Sequence, residues 1–480
     1  MNPTLGLFAC AAWLTPALLA AAPITYVVTD TGQERCYDER TEIAYPAAGA
    51  AFFGQDAHYQ GVANDFATNA NGTVTDRSTG LMWTRDSGAK VTCEQAAAGA
   101  TACRVGGYAD WRLPSIKELY SLMDFRGIDP DAKSSDASGL RPFIDARAFV
   151  FHYGEASAGD RIIDSQFASS TLYVGTTMGG NKTMFGVNFA DGRIKGYPAG
   201  AIRDRPAKLY YALYVRGNPQ YGKNRFRSNG DGTVADEATG LIWQQADSGK
   251  AMDWQHALAY AEGLALGGHD DWRLPNAKEL QSIVDYSRAP DATGSAAIDP
   301  LFACTSITNE AGQKDFGCYW TGTTHVGVRN GGACAAYLSF GRAMGNMRGR
   351  WMDVHGAGAQ RSDPKGGNPA DYAQGRGPQG DAVRVLNCVR CVRGGPAALR
   401  TSGPAVQTSS SDLPPLRGGP GAGGRPSFVQ HLDRNGDGKV SREEFDGPAD
   451  QFPILDRNHD GYLTEDEAPP PPSGERQRMP

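Results

Sequence analysis

DWRLPSIKELYSLMDF at residues 110–125 returns as DWRLPNAKELQSIVDY at residues 271–286. In the first copy Ser115 is placed to cap a helix while Glu118 reaches back to it, and Asn276 and Glu279 repeat that spacing. Leu119, Leu122 and Met123, like Leu280, Ile283 and Val284, then recur at helical intervals. Pro114 and Pro275 restrict the backbone just before each cap. Trp111 and Trp272 are expected to anchor the turn in the core, with Asp110 and Arg112 paired to charged neighbours. The motif therefore predicts a strand-to-helix corner written twice. No base or nucleophile accompanies it, so its role is structural rather than catalytic.

The match extends outward from the corner. NGTVTDRSTGLMWTRDSG (71–88) matches DGTVADEATGLIWQQADSG (231–249), YVGTT (173–177) resembles YWTGTT (319–324), and LYVRG (213–217) resembles RCVRG (390–394). The chain is a duplication of one long unit, not a solenoid of short repeats. The GTV and TGL segments read as short strands joined by glycine turns. SNGDGTVAD (228–236) reads as a β-turn, because Arg227 stands where a calcium loop needs its first ligand.

The 480 residues, 40% hydrophobic and 21% charged, have the composition of globular domains, and the net charge of −6 argues against a nucleic-acid partner. LFACAAWLTPALLAAA (7–22) is apolar and ends in small residues, which predicts a signal peptide over 1–22 and export to the periplasm or the cell surface. No other stretch is long and apolar enough to span a membrane. Removing Cys10 leaves eight cysteines, an even number that predicts disulfides in an exported chain, with Cys93–Cys103 and Cys304–Cys318 as local pairs. Cys388 and Cys391 have C-x-x-C spacing, but VLNCVRCVRG reads as a strand that points residues three apart to opposite faces. That argues against a redox pair or a zinc site.

GTVTDRSTGLMW, DWRLPSIKEL and CVRCVRG, with their second copies, resemble the family DUF1566, also named after the C-terminal domain of the Legionella collagen-like adhesin. The resemblance covers about residues 60–217 and 225–395. It implies an α+β architecture: two C-type-lectin-like domains with small twisted antiparallel sheets, and recognition of a glycan or cell-envelope component. The domains expected are 23–217, which includes an amino-terminal extension, and 218–395. In that extension, TGQERCYDERTEIAYPAAG (31–49), the family pattern implies a second cysteine near Tyr45; Cys36 lacks it here, and its partner stays open. RLP before a capped helix is also similar to formylglycine-generating enzymes, which implies an enzymatic alternative. The sugar-coordinating triplets EPN, QPD and WND are absent, so the resemblance implies no calcium-dependent sugar chelation by these domains.

SFGRAMGNMRGRWMDVHGAGAQRSDPKGGNP (339–369) concentrates Arg342, Arg348, Arg350, Trp351, His355 and Arg361, a set able to grip a sulfated or acidic glycan. The alternative is an ordered loop whose arginines pair with local carboxylates such as Asp353 and Asp363. The counterpart in the first copy, FGVNFADGRIKGYPAG (185–200), is shorter and less basic.

Residues 396–426 are rich in Gly, Pro and Ser and read as a linker. Behind them DRNGDGKVSREE (433–444) and DRNHDGYLTEDE (456–467) each match an EF-hand loop, predicting a small all-α pair over 427–468 before a disordered tail, 469–480. Calcium would be held in the first loop by Asp433, Asn435, Asp437, the Lys439 carbonyl, Ser441 and Glu444. In the second it would be held by Asp456, Asn458, Asp460, the Tyr462 carbonyl, Thr464 and Glu467. Val440 and Leu463 occupy the positions that join two hands through a β-bridge. Pro469–Pro472 bar a helix from leaving the second loop. The expected protein is thus exported, calcium-binding and non-catalytic. Structural assembly of the envelope is the alternative to recognition, and oligomeric state is not legible.

Overall fold

The computed structural model describes residues 23–201, 206–404, 406, 439–442, 444–445, 452, 456 and 460–464. The predicted signal peptide and Cys10 lie outside them, as do most of the linker and the tail. The described chain divides into two compact units, one ending at Ser410 and one beginning at Ser411.

In the first copy the chain runs β1 (Phe66–Thr68), β2 (Thr73–Asp76), β3 (Leu81–Thr84), α1 (Cys93–Ala102), α2 (Ile116–Tyr120), β4 (Gln166–Leu172), β5 (Thr183–Asn188), β6 (Arg193–Pro198) and β7 (Val215–Gly217). The second copy repeats it as β8 (Phe226–Ser228), β9 (Thr233–Asp236), β10 (Leu241–Gln244), α3 (Trp254–Glu262), α4 (Ala277–Ser282), β11 (Cys318–Thr324), β12 (Cys334–Ser339), β13 (Met344–Met347), β14 (Arg350–Asp353), β15 (Gln360–Pro364) and β16 (Val392–Gly394). Each copy builds a four-stranded antiparallel sheet, β7-β3-β2-β1 and β16-β10-β9-β8. The registers repeat too: Trp83 lies opposite Val74 and Val215, and Trp243 opposite Val234 and Val392.

The corner forms as its sequence predicts. Ser115 and Asn276 cap α2 and α4 in complete capping boxes with Glu118 and Glu279. The same glutamates hold the arginines of the motif: Arg112 pairs with Glu118, and Arg273 with Glu279 through two bonds of 2.6 Å. Asp110 and Asp271 bind Arg216 and Arg393 on the closing strands, at 2.7 and 2.6 Å. Trp111 and Trp272 are buried, and each indole N–H donates to a backbone carbonyl at 3.1 Å. One alignment is corrected. The first N–H of α2 is received by Thr171 and that of α4 by Thr323, so the counterpart of 318–324 is 166–172 and not YVGTT (173–177).

The two copies do not stand as separate domains. A six-stranded antiparallel sheet, ordered β11-β12-β15-β6-β5-β4, runs through both, and its middle seam pairs Ile194 with Gln360. That order reads the same from either edge, as expected for a two-fold interface inside one chain. One hydrophobic core contains Trp83, Leu119 and Val187 together with Trp243, Leu280 and Leu338. Two lysines, Lys278 buried and Lys117 half-buried, lock it. Lys117 of α2 donates to Asn224 Oδ1 at 2.7 Å and to the Ser282 carbonyl of α4 at 2.6 Å. Lys278 of α4 donates to Asn64 Oδ1 at 3.3 Å and to the Ser121 carbonyl beyond α2 at 2.9 Å. Each copy thus supplies the acceptors for the other's ammonium.

The extension expected with the first domain crosses to the second copy. Thr25 and Tyr26 donate their N–H groups to the Ala238 carbonyl, and Gln33 exchanges two hydrogen bonds of 2.8 Å with the Thr324 backbone. Asp56 accepts the Thr323 hydroxyl at 2.6 Å. The start of the expected linker is also ordered: Ala398–Leu399 pairs antiparallel with Tyr59–Gln60.

The expected disulfides are not formed, and all eight described cysteines are free thiols. Cys93 opens α1 and Cys103 caps its far end, roughly 15 Å of helix apart, which no disulfide can span. Cys304 lies 3.4 Å from Arg390, while Cys318 packs on Ser339 and Arg384. Cys388 and Cys391 belong to different hydrophobic clusters, as strand alternation requires. Cys36 has His58 Nδ1 at 3.7 Å and no cysteine partner.

Burial pulls both Lys117 and Lys278 down to about 8. Unfolding returns each to the ordinary value of about 10.4, so between pH 8 and 10 the unfolded chain binds more protons and stability rises with pH. Denaturant unfolding of the first unit is expected to show that rise, and the Lys117→Met/Lys278→Met variant to show a distinctly smaller one.

Candidate functional site

The copies differ most at one turn. In the first copy a short turn, Phe189 to Gly192, with Gly192 at φ 66°, joins β5 to β6. In the second, the same turn between β12 and β15 carries the insertion 340–359, which holds the β13–β14 hairpin. Met347 pairs with Arg350 across a two-residue tip in which Arg348 (φ 57°) and Gly349 (φ 81°) are both left-handed, as a twisted hairpin demands. The tip therefore holds an arginine where a non-glycine residue is uncommon.

The hairpin is rooted in polar contacts that cross the seam. Asp353 accepts the Tyr173 hydroxyl at 2.9 Å and the Gly356 N–H at 2.8 Å, and its carbonyl accepts the Met178 N–H at 2.8 Å. Burial pushes the Asp353 carboxyl up to about 7. On the other side Asn346 N–H donates to the Gly380 carbonyl, and Gly345 bridges Asp381. The loop 372–381 thereby buttresses β13, and it lays Arg376 over the Tyr372 ring at 4.5 Å. No sequence spacing linked this loop to the basic cluster, because backbone pairing with β13 and the carboxylate of Asp381 join the two only in the folded chain.

The six basic and aromatic residues of the loop are divided by the fold. Arg342 is buried, paired with Asp291 and with Asp315 at 3.2 Å. Arg361 pairs with Asp381 and lies 2.8 Å from His355 Nε2, itself 2.9 Å from Asp381. Burial, followed by the charge of Arg361, lowers His355 to about 4, leaving a neutral ring at neutral pH. Against the effect of burial, Arg361 and His355 hold the Asp381 carboxyl well below the carboxylate range. These three residues are internal, and their partners are Asp291, Asp315 and Asp381 rather than Asp353 and Asp363. Arg348 and Arg350 are exposed and form no ion pair among the described residues, with Trp351 half-buried beside them. The members of the cluster left at the surface are thus Arg348 and Arg350, with Trp351 partly covered beside them.

In the second unit β17 (Val440–Ser441) pairs antiparallel with β18 (Tyr462–Leu463), and Val440 lies opposite Leu463. Both are buried with Phe452. This is the bridge expected between two hands. The Asp456 carboxylate accepts the N–H groups of Asp460 at 3.1 Å and Gly461 at 3.0 Å, curling the loop about a glycine at φ 82°. Glu444 accepts the Ser441 N–H and hydroxyl at 2.9 and 2.8 Å. Among the described residues no three acidic, histidine or cysteine side chains come together as a metal site, and the oxygen-bearing residue types at alternate loop positions are those a hard cation such as calcium requires. Lys439, Ser441, Glu444, Asp456, Asp460, Tyr462 and Thr464 are described here; Asp433, Asn435, Asp437, Asn458 and Glu467 lie outside the described residues.

The family model of the Lcl C-terminal domain matches residues 72–209 and 232–355, more than half of the chain. The chain belongs to the Lcl C-terminal domain family. Each match opens at the glycine that precedes the second strand of its copy, and the later match ends inside the insertion. An EF-hand model matches residues 430–446, which covers the first calcium loop. No curated protein and no solved structure matches the chain. The Lcl C-terminal copies thus account for the repeated corner and sheets, and the EF hand for the acidic loop.

Asp381→Ala would leave the half-buried Arg361 and the buried His355 without their shared carboxylate and is expected to cost about 1–3 kcal/mol of stability. Arg348→Ala and Arg350→Ala should each change it by no more than about 0.5 kcal/mol. Thermal unfolding of the three variants checks the division between internal and surface arginines. For the calcium loop, Glu444→Gln is expected to weaken binding about tenfold or more, read by calorimetric titration, since affinity follows ligand charge.

Proposed function

We propose that this protein is an exported, non-catalytic recognition protein. Its two C-type-lectin-like copies, fused into one unit, present the β13–β14 tip to an acidic or sulfated glycan of a cell envelope, while the EF-hand pair binds calcium. The observation that carries the reading is the tip itself: two exposed guanidinium groups that form no ion pair among the described residues, beside a half-buried indole, on a hairpin inserted in the second copy. Guanidinium forks match carboxylate and sulfate oxygens, and an aromatic face packs on a sugar ring or cation. The root favours preorganisation, because Asp353 is fixed by Tyr173 and Gly356.

A non-catalytic role is supported by the cysteines. Burial pushes Cys36 and Cys388 up to about 12, so neither is poised as a nucleophilic thiolate of the kind an enzyme of the formylglycine-generating type would need. The apolar run at 7–22 supports export. Calcium near millimolar outside the cytosol would saturate even a modest loop and stabilise the second unit by mass action.

A glycan array probed with the full chain, with and without calcium, tests the reading. Sulfated or uronate-rich glycans are expected to bind, and Arg348→Ala or Arg350→Ala to weaken binding by about tenfold or more, the size of a charge-assisted hydrogen bond. A blank array from folded protein, with calcium-dependent capture of an envelope protein instead, would turn the assignment to structural assembly.

A further inference from the structure

The amino-terminal extension closes a second, unrelated site over the repeated corner of the second copy. A cavity of about 340 Å³ lies between the segment 24–30, the segment 59–62, the turn 239–241, the Arg273–Glu279 pair and residues 395–397. Its walls are apolar, made chiefly by Val27, Val28, Val62, Leu241 and Pro396. Two of its charges cancel, because Arg273 and Glu279 bind each other through both guanidinium nitrogens. Asp30 is different. Its carboxylate accepts the backbone N–H groups of Gly32 and Gly61, at 2.6 Å each, and forms no ion pair among the described residues. Lys278 reaches only the Asp30 carbonyl, at 2.8 Å. The negative charge is felt behind the cavity wall, where burial and then Asp30 push the carboxyl of buried Asp56 up to about 7. The Tyr59 ring completes the lining.

Asp30 thus puts a carboxylate without an ion pair among the described residues on an apolar wall, with the Lys278 ammonium held on its backbone side, and such a wall favours a positive charge carried on an apolar body. We propose that this cavity binds a small amphipathic organic cation, its ammonium group on Asp30 and Tyr59 and its hydrocarbon against Val27, Val28, Val62 and Leu241. The cleft over the matching corner of the first copy makes a contrast. It is wider, about 790 Å³, and mixes Lys117 and Lys223 with Asp285 and Asp299. Only the copy covered by the extension has the apolar wall and the lone carboxylate together.

The test uses n-hexylamine, n-hexanol and hexanoate as probes of equal length, titrated into the calcium-saturated full chain and read by saturation-transfer NMR. Hexylamine is expected to bind about tenfold more tightly than hexanol, the worth of one charge-assisted hydrogen bond, and hexanoate more weakly than either. Asp30→Asn should bring hexylamine down to the level of hexanol. Because Asp30 also fixes two backbone N–H groups, Val62→Phe, which fills the cavity from its wall, decides the matter if that variant does not fold; it should abolish hexylamine binding. Hexanoate binding as tightly as hexylamine, hexylamine affinity unchanged in Val62→Phe, or no saturable hexylamine binding overturns the proposal.

Discussion

Two buried ammonium groups set the architecture of the first unit. A lysine withdrawn from water must find acceptors or lose its charge, and the cost of failing is several kcal/mol. Lys117 and Lys278 each find an asparagine side chain and the carbonyl at the end of the opposite helix across the seam, and Lys278 adds the Thr29 hydroxyl and the Asp30 carbonyl of the extension. Neither copy can satisfy its own lysine. The helices must therefore meet, and once they meet, β6 and β15 are brought edge to edge and the two three-stranded halves become one sheet. The duplication behaves as an isologous dimer written in one chain, with each half completing the other.

Symmetry holds the frame, and departures from symmetry supply what is particular to one copy. The corners repeat their capping boxes, their Arg–Glu pairs and the indole hydrogen bonds of their tryptophans. What differs is added from outside the repeat: the insertion 340–359 at one turn, and the extension before residue 60, which serves the second copy although it precedes the first. Both additions rest on the second copy, one as an exposed basic tip and the other as the lid of a cavity. This is the usual division of labour, in which a rigid scaffold positions variable segments.

Much of this was legible in the residues. The capping boxes, the buried indoles, the Asp–Arg pairs of DWRLP and the opposite faces of Cys388 and Cys391 all follow from local geometry and strand alternation. So does the Val440–Leu463 bridge, since an EF-hand loop places that residue by count. The YVGTT alignment went astray because short strands rich in Thr and Gly match at several offsets; only the hydroxyls of Thr171 and Thr323, each receiving a helix N–H, settle the register. The Cys93–Cys103 disulfide failed because a helix holds its ends apart, and the Cys304–Cys318 one because the two thiols, on either side of a short hairpin, pack on different partners.

The sequence by itself determined the repeat, the corner, the calcium loops and the membership of arginines in one loop, because each is a pattern of spacing within a single element. Tertiary structure alone decided which arginines are free. Arg342 and Arg361 find carboxylates at positions 291 and 381, from segments outside their own strands, whereas Arg348 and Arg350 form no ion pair among the described residues. It also decided that two domains are one body, and that the extension bonds both copies. Those outcomes depend on which segments meet in space, and a buried charge accepts whatever partner the packed chain brings to it, regardless of its distance along the sequence.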